Sequence, residues 1–411
     1  MIRRLILIAA LLVAVPLSAQ GKHRVSRIDV RGDVPARIVV SQSTLAEGRS
    51  YTDDDLELAV ARVRRLPFVY DARYSLEGET LVLEVNGVTK LFGDLDASGV
   101  GTEGDRFSSA AVAGGGRLFL GSGVAEGRVQ EFVAEHSQHN AAAEVAYSQY
   151  GIAGTRLFAS AGVNYNLTPR DGFHPDPTLR LLAGYPLTLR QTLTASAVNA
   201  GYTARQAFFL APQGIRSSSD SQSFDLRWTY DTTDDPFFAQ RGLMISAGPR
   251  WGRSDLQTET FFAPAALRTE STSRSLTAEA RRLWTLGSRS AIFSGIGGTL
   301  DRTHVKSNFG DQLALGVDSV LESKTASVTL GYAHNLFDRA RATAMRQRIE
   351  LGATYNWADA DNTALFDTSV TTINAAYVLR PQFATVRLSL SYVFQDRPEQ
   401  AQQPIPPFPF N

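Results

Sequence analysis

The chain has 411 residues, 41 Lys+Arg against 41 Asp+Glu, no cysteine and 43% hydrophobic residues. Zero net charge removes the electrostatic basis for binding nucleic acid, which calls for a basic excess. The lack of cysteine excludes disulfide scaffolds, thiolate metal sites and thiol nucleophiles. A mean hydropathy of -0.13 is too low for a bundle of membrane helices. What remains is a soluble multidomain protein or a membrane β-barrel, whose alternating strands are hydrophilic on average.

In chain order, Arg3 and Arg4 precede an unbroken apolar run from Leu5 to Leu17, followed by Ser18 and Ala19. A basic start, an apolar core of about 13 residues and small residues at the break form the layout of a secretory signal peptide, with cleavage expected after Ala19. From Val25 to Val88 the expected order is β-α-α-β-β. A strand closes at Gly32, and a helical stretch opens at Pro35. A second helix starts at Thr52 with Asp53, Asp54 and Asp55 in its first turn, and a hairpin follows Pro67.

These residues carry a resemblance. The strand ending in Gly32, the core of Leu45, Gly48, Tyr51, Leu56, Ala59 and Leu66, and the run Pro67 to Tyr74 resemble a POTRA domain. That is the periplasmic module of the outer membrane protein 85 superfamily, and residues 23–88 are assigned to it. The resemblance implies that the strand from Val69 to Ser75, with Val69, Tyr70, Ala72 and Tyr74, is an exposed edge to which an extended client chain pairs.

Beyond Thr89, over residues 89–395, the spacing changes to period two. Examples are Phe224, Leu226, Trp228 and Tyr230, then Ile349, Leu351, Ala353 and Tyr355, then Leu388, Leu390, Tyr392 and Phe394. The runs reach the ~9–11 residues of a tilted membrane span rather than the ~5–6 of a sandwich strand. The fold class is therefore mainly β, a transmembrane antiparallel barrel behind one small α+β domain. Sixteen strands of about 19 residues are expected if a weak segment at 258–267 is counted, with fourteen as the alternative because bacterial barrels have even strand numbers. Long polar loops are expected at 166–178, 210–222 and 303–323.

Tyr230 to Gly242 reads YDTTDDPFFAQRG, in which Asp231, Asp234, Pro236, Phe237, Phe238, Arg241 and Gly242 resemble the superfamily's periplasmic turn motif. Here the two adjacent acids Asp234 and Asp235 stop a strand and cap a turn, a structural role. The superfamily's loop-six Val-Arg-Gly-Phe/Tyr tetrapeptide has no counterpart in 303–323; the single Val-Arg-Gly is Val30 to Gly32. Leu388, Leu390, Tyr392 and Phe394 resemble a terminal-strand assembly signal, and the Gln/Pro-rich residues 396–411 read as a periplasmic tail.

Neither a Gly-x-Ser-x-Gly elbow, nor His-Glu-x-x-His, nor a phosphate-cradling loop occurs. His136 and His139 have metal-like spacing but lack further ligands, so no metal, cofactor or catalytic residue is expected, and the protein reads as no enzyme. The resemblance implies an outer-membrane barrel with its POTRA domain in the periplasm. Its expected partners are outer-membrane lipids, an unfolded polypeptide client, and periplasmic chaperones or assembly lipoproteins, with no nucleic acid. Client insertion or translocation would use a seam between the first and last strands, where Gly93 and Gly99 weaken pairing. The missing tetrapeptide suggests the competing reading, a passive pore or structural barrel.

Overall fold

The computed structural model describes residues 22–102, 106–134, 138–167, 173–208, 211–259, 267–309, 313–337, 345–361 and 368–395. The expected signal peptide, His136 and the tail from 396 onward lie outside these residues.

The N-terminal unit contains β1 (Lys22–Val25), β2 (Arg27–Gly32), α1 (Ala36–Ser43), β3 (Arg49–Thr52), α2 (Asp53–Arg64), β4 (Val69–Glu77) and β5 (Thr80–Gly87). Helix α2 begins where the sequence places it. Thr52 Oγ1 accepts from the Asp55 N–H at 3.2 Å, and the Thr52 N–H donates back to the Asp55 carboxylate at 3.1 Å. This reciprocal box satisfies two amide donors that the first turn would leave unpaired. The helix buries Leu56, Ala59, Val60 and Val63 against a sheet ordered β2-β5-β4, in which β2 runs parallel to β5 and β4 forms an edge.

The rest of the described chain is one closed sheet. Its strands are β6 (Leu91–Gly101), β7 (Arg106–Leu120), β8 (Gly123–Ala134), β9 (Gln138–Tyr150), β10 (Phe158–Asn166), β11 (Phe173–Pro175), β12 (Thr178–Pro186) and β13 (Gln191–Phe208). There follow β14 (Ala211–Asp231), β15 (Gly242–Glu259), β16 (Leu267–Thr285), β17 (Ser290–Phe309), β18 (Leu313–Asn335), β19 (Met345–Asp361), β20 (Thr368–Pro381) and β21 (Ala384–Gln395). The three-residue β11 pairs with β13 alone. The other fifteen strands form the barrel, so the expectation of sixteen strands, or of fourteen, is corrected to fifteen. Of the segment expected as a strand at 258–267, Thr258 and Leu267 pair with each other across β15 and β16, and 260–266 lie outside the described residues.

An odd count forces the first and last strands to run in the same direction. Strands β21 and β6 accordingly pair in parallel, from Ala384 opposite Gly93 to Tyr392 opposite Gly101, while all other barrel neighbours are antiparallel. Parallel pairing has slanted hydrogen bonds and is slightly weaker per residue. The chain thus enters the barrel at the mouth next to the N-terminal unit and leaves β21 at the opposite mouth. The expected tail, 396–411, lies outside the described residues.

Period-two alternation puts one set of side chains outside. Leu390, Leu330 and Leu300 are 69%, 61% and 55% exposed. On β17 the outward apolar positions run from Ile292 to Leu300, with cross-strand partners Trp284 and Leu276 on β16. At ~3.3 Å per residue, a tilted stretch of this length crosses a hydrocarbon layer. Inward positions carry hydroxyls that bridge neighbouring strands, as in Thr277–Thr299 at 3.2 Å and Thr329–Thr354 at 3.1 Å. The segments expected as loops at 210–222 and 303–323 are largely strand: β14 starts at Ala211, and β17 and β18 pair out to Phe309 and Leu313.

Candidate functional site

The turn between β14 and β15 folds inward beneath the barrel and meets both the N-terminal unit and the opposite wall. Each of its acids has a separate task. Asp231 Oδ1 accepts from the Thr233 N–H at 2.8 Å and forms an ion pair with Arg65, also at 2.8 Å. Asp234 Oδ1 accepts from the amides of Gln240 at 3.0 Å and Arg241 at 3.3 Å. Asp235 Oδ1 accepts from the amides of Phe237 at 3.0 Å and Phe238 at 2.9 Å. Its other oxygen accepts from Arg346 at 2.6 Å.

Gly242 sits at φ +121°, where an added Cβ would lie 2.5 Å from the Thr232 carbonyl oxygen. Glycine is therefore required for the chain to re-enter the sheet. Arg241 is exposed and enters the turn through its backbone.

The far side of the turn is gripped by arginines of the opposite wall. Arg346 stacks over the Phe238 ring at 4.3 Å, Arg348 donates to the Ala239 carbonyl at 2.7 Å, and Arg380 stacks over the Phe237 ring at 3.8 Å. From the N-terminal unit, Arg64 reaches the Asp234 carbonyl at 3.3 Å and Arg65 reaches that of Thr233 at 3.0 Å. Burial acts to raise the pKa of Asp235, but the charges of Arg346 and Arg64 and the donated hydrogen bonds outweigh it, holding the carboxyl below its ordinary range. Asp234 shifts the other way. Burial raises it, and the amides of Gln240 and Arg241 recover only part of the shift. Burial also pulls Arg64 down, against the opposing charges of Asp235 and Asp71.

A second, apolar contact lies across the same mouth. Phe68 of the N-terminal unit meets Phe119 of β7 edge-on at 5.4 Å and Tyr150 of β9 at 5.6 Å, and Tyr150 stacks on Phe158 of β10. Val124, Tyr150 and the core of the N-terminal unit form one continuous buried cluster. Two contacts on different parts of the rim therefore hold the unit across the mouth.

The edge strand β4 lies in this junction. Val69, Tyr70 and Ala72 are buried, and Tyr74 is partly exposed. The Val69 carbonyl accepts from Arg380 at 2.9 Å, the Ala72 carbonyl accepts from Arg64, and the Tyr70 hydroxyl donates to the Arg380 carbonyl at 3.3 Å. The first half of the edge is thus occupied by arginines, and the open half is Tyr74 to Glu77. Gln382, in the β20–β21 turn, donates to the Gly87 carbonyl at 3.1 Å and accepts from the Thr89 N–H through its own carbonyl at 3.2 Å. The foot of the β6–β21 seam is therefore joined directly to the hairpin of the N-terminal unit. Along the seam, a Cβ at Gly99 would meet Leu390 at 3.0 Å and one at Gly101 would meet Tyr392 at 3.3 Å. Leu388, Leu390, Tyr392 and Phe394 are exposed on the outer face of β21.

Of the residues singled out in sequence, the turn gathers Asp231, Asp234, Pro236, Phe237 and Phe238. Their partners Arg64, Arg346, Arg348 and Arg380 carried no sequence signal beyond sitting on the polar face of a strand or helix. Among the described residues there is no group of three or more His, Asp or Glu able to hold a metal ion.

No protein-family model matches the chain, and no curated protein matches it. Solved structures similar to it include BamA from Haemophilus ducreyi lacking POTRA domains 1-3, at 12% identity over 91% of this chain and 81% of that one, with a TM-score of 0.42. Another is CdiB from Acinetobacter baumannii, at 10% identity over 87% and 70%, with a TM-score of 0.41. A third is the ferric yersiniabactin uptake receptor FyuA from Yersinia pestis, at 11% identity over 76% and 63%, with a TM-score of 0.34. No residue role is carried from these structures to this chain.

Proposed function

We propose that this protein is an outer-membrane barrel that assists insertion or translocation of polypeptide, with its N-terminal unit acting as a POTRA module on the periplasmic side. The observation that carries this reading is the join between the edge strand and the seam. Strand β4 begins against Arg380, one turn from the parallel β6–β21 pair, so an extended chain added at Tyr74 to Glu77 is delivered to the foot of the barrel's single parallel pairing among the described strands. Client folding supplies the driving force, and the mechanism uses no catalytic group or cofactor.

Reconstitution tests it. Liposomes holding the protein should speed the insertion of an unfolded barrel client, and photo-cross-linkers at Tyr74 and Leu76 should capture that client. Neither acceleration nor capture would sink the reading.

The hydroxyl-rich inner wall supports a second reading, a passive pore. Steady conductance in a planar bilayer, without client acceleration, would favour it.

A further inference from the structure

The outer surface of β14 to β17 contains an arrangement that the insertion reading does not use. Phe224, Trp251, Arg274 and Arg302 are successive cross-strand partners, and they face outward. Phe224 and Trp251 pack with ring centroids 5.6 Å apart. The next outward pair toward the near mouth is Leu276 and Leu300, so this row marks the upper edge of the apolar band.

Two arginines directly opposite each other repel, a costly pairing on a sheet face. Arg302 is relieved by Glu322 at 3.4 Å. The neighbouring acids Asp255 and Glu270 are bound by Arg268, at 2.5 Å and 3.2 Å. Arg274 and Arg253, which lie on adjacent strands in successive rows, have no ion-pair partner among the described residues.

Below and beside them the wall is hollowed. Two adjoining surface hollows of about 460 and 420 Å³ share Leu181, Ala197 and Phe224. Alanines at 159, 161, 183, 195 and 197 form the floor of the first, and Trp251 and Arg253 close the second. An apolar trough that ends at unpaired cations on the rim of an apolar band matches a molecule with acyl chains and an anionic head.

We propose that this patch binds a phosphate-bearing acylated lipid of the outer leaflet. Its phosphate is held by Arg253 and Arg274, and one acyl chain lies along the alanine floor. Arginine suits the task because its planar fork gives two parallel hydrogen bonds to a phosphate. The assignment to the outer leaflet rests on the orientation in the proposed function, whereas the binding itself does not.

Native mass spectrometry of the full chain in detergent, with bis-phosphorylated lipid A as the probe, tests the proposal. A one-to-one adduct is expected with the wild-type chain. It should weaken about tenfold, equivalent to ~1.4 kcal/mol, in the Arg253→Gln/Arg274→Gln variant and with fully dephosphorylated lipid A. Lys306→Gln, which removes a charge from a higher row, should leave it unchanged, and inorganic phosphate should not displace it. Equal binding by the double variant or by the dephosphorylated lipid, displacement by inorganic phosphate, or a protein dimer in place of the adduct would each overturn it. The dephosphorylated probe and the phosphate competition use only wild-type protein, so a misfolded variant would not shield the proposal. A lipid adduct without client acceleration would leave this site standing and remove the insertion reading.

Discussion

Arg346 on β19 places Nη2 2.6 Å from Oδ2 of Asp235, a residue 111 positions earlier in the chain, and solvent reaches neither side chain appreciably. The pair ties the inward turn to the far wall. Removing one partner of a buried pair leaves an uncompensated charge, which costs about 3–5 kcal/mol, whereas replacing both by apolar groups is often neutral. Asp235→Ala should therefore lower the temperature of the barrel's heat-modifiable gel shift, and Asp235→Ala/Arg346→Met should recover much of the loss. Equal melting of the single variant and wild type would refute the structural role of the pair.

Phe68 is the aromatic anchor of the second contact. Phe68→Ala opens a cavity against Phe119 and Tyr150, at a cost of about 3–5 kcal/mol. The N-terminal unit should then detach from the rim, seen as faster trypsin cleavage near Lys90 and a rise in planar-bilayer conductance. Unchanged cleavage and conductance would mean that the arginine contact alone holds the unit.

The chain's lack of cysteine makes the seam accessible to engineering. Ser98 and Ser389 are parallel cross-strand partners on the inner face. Ser98→Cys/Ser389→Cys, once oxidised, should lock the seam and stop client insertion, with activity returning on reduction. Undiminished insertion by the oxidised form would show that the seam does not open.

The contribution of Asp235 has a defined pH sense. Its carboxyl lies below the ordinary value in the folded protein, so its stabilisation is fully present above the unfolded pKa of about 3.9 and is lost as pH falls through the lower folded value. Asp234, shifted upward, contributes in the opposite sense over its own range. Tryptic protection of the junction should persist at mildly acidic pH, and Asp235→Asn should abolish its strongly acidic loss. A transition near neutral pH would be inconsistent with this.

Much of the architecture is legible in period two, because lipid outside and water inside impose opposite chemistries on alternate residues. The β18, β19 and β21 runs, with Leu330, Leu351 and Leu390 outward, lie where the alternation puts them. Strand parity is not written in any local pattern. It depends on how the whole sheet closes, which shows only in the parallel β6–β21 pairing. The polar ends of the long strands were unreadable for a related reason: around Arg302 and His304 polar residues occupy both faces and the alternation fades. The grip on the inward turn was likewise hidden, since Arg346, Arg348 and Arg380 look in sequence like ordinary lumen positions.

An epitope placed after Asn411 should be bound by antibody on intact cells, because β21 leaves the barrel at the mouth opposite the N-terminal unit. Labelling only after permeabilisation would contradict the parallel closure or the proposed orientation.

Parallel closure also makes the polypeptide a single thread running from one face of the membrane to the other. In an even-stranded barrel both ends return to one side, and a short peptide could join them into a circle without crossing the wall. Here a peptide joining the end of β21 to the start of β6 would have to pass down the lumen. The start of β6 and the end of β21 lie at opposite mouths, and tension between them would fall on the β6–β21 pairing.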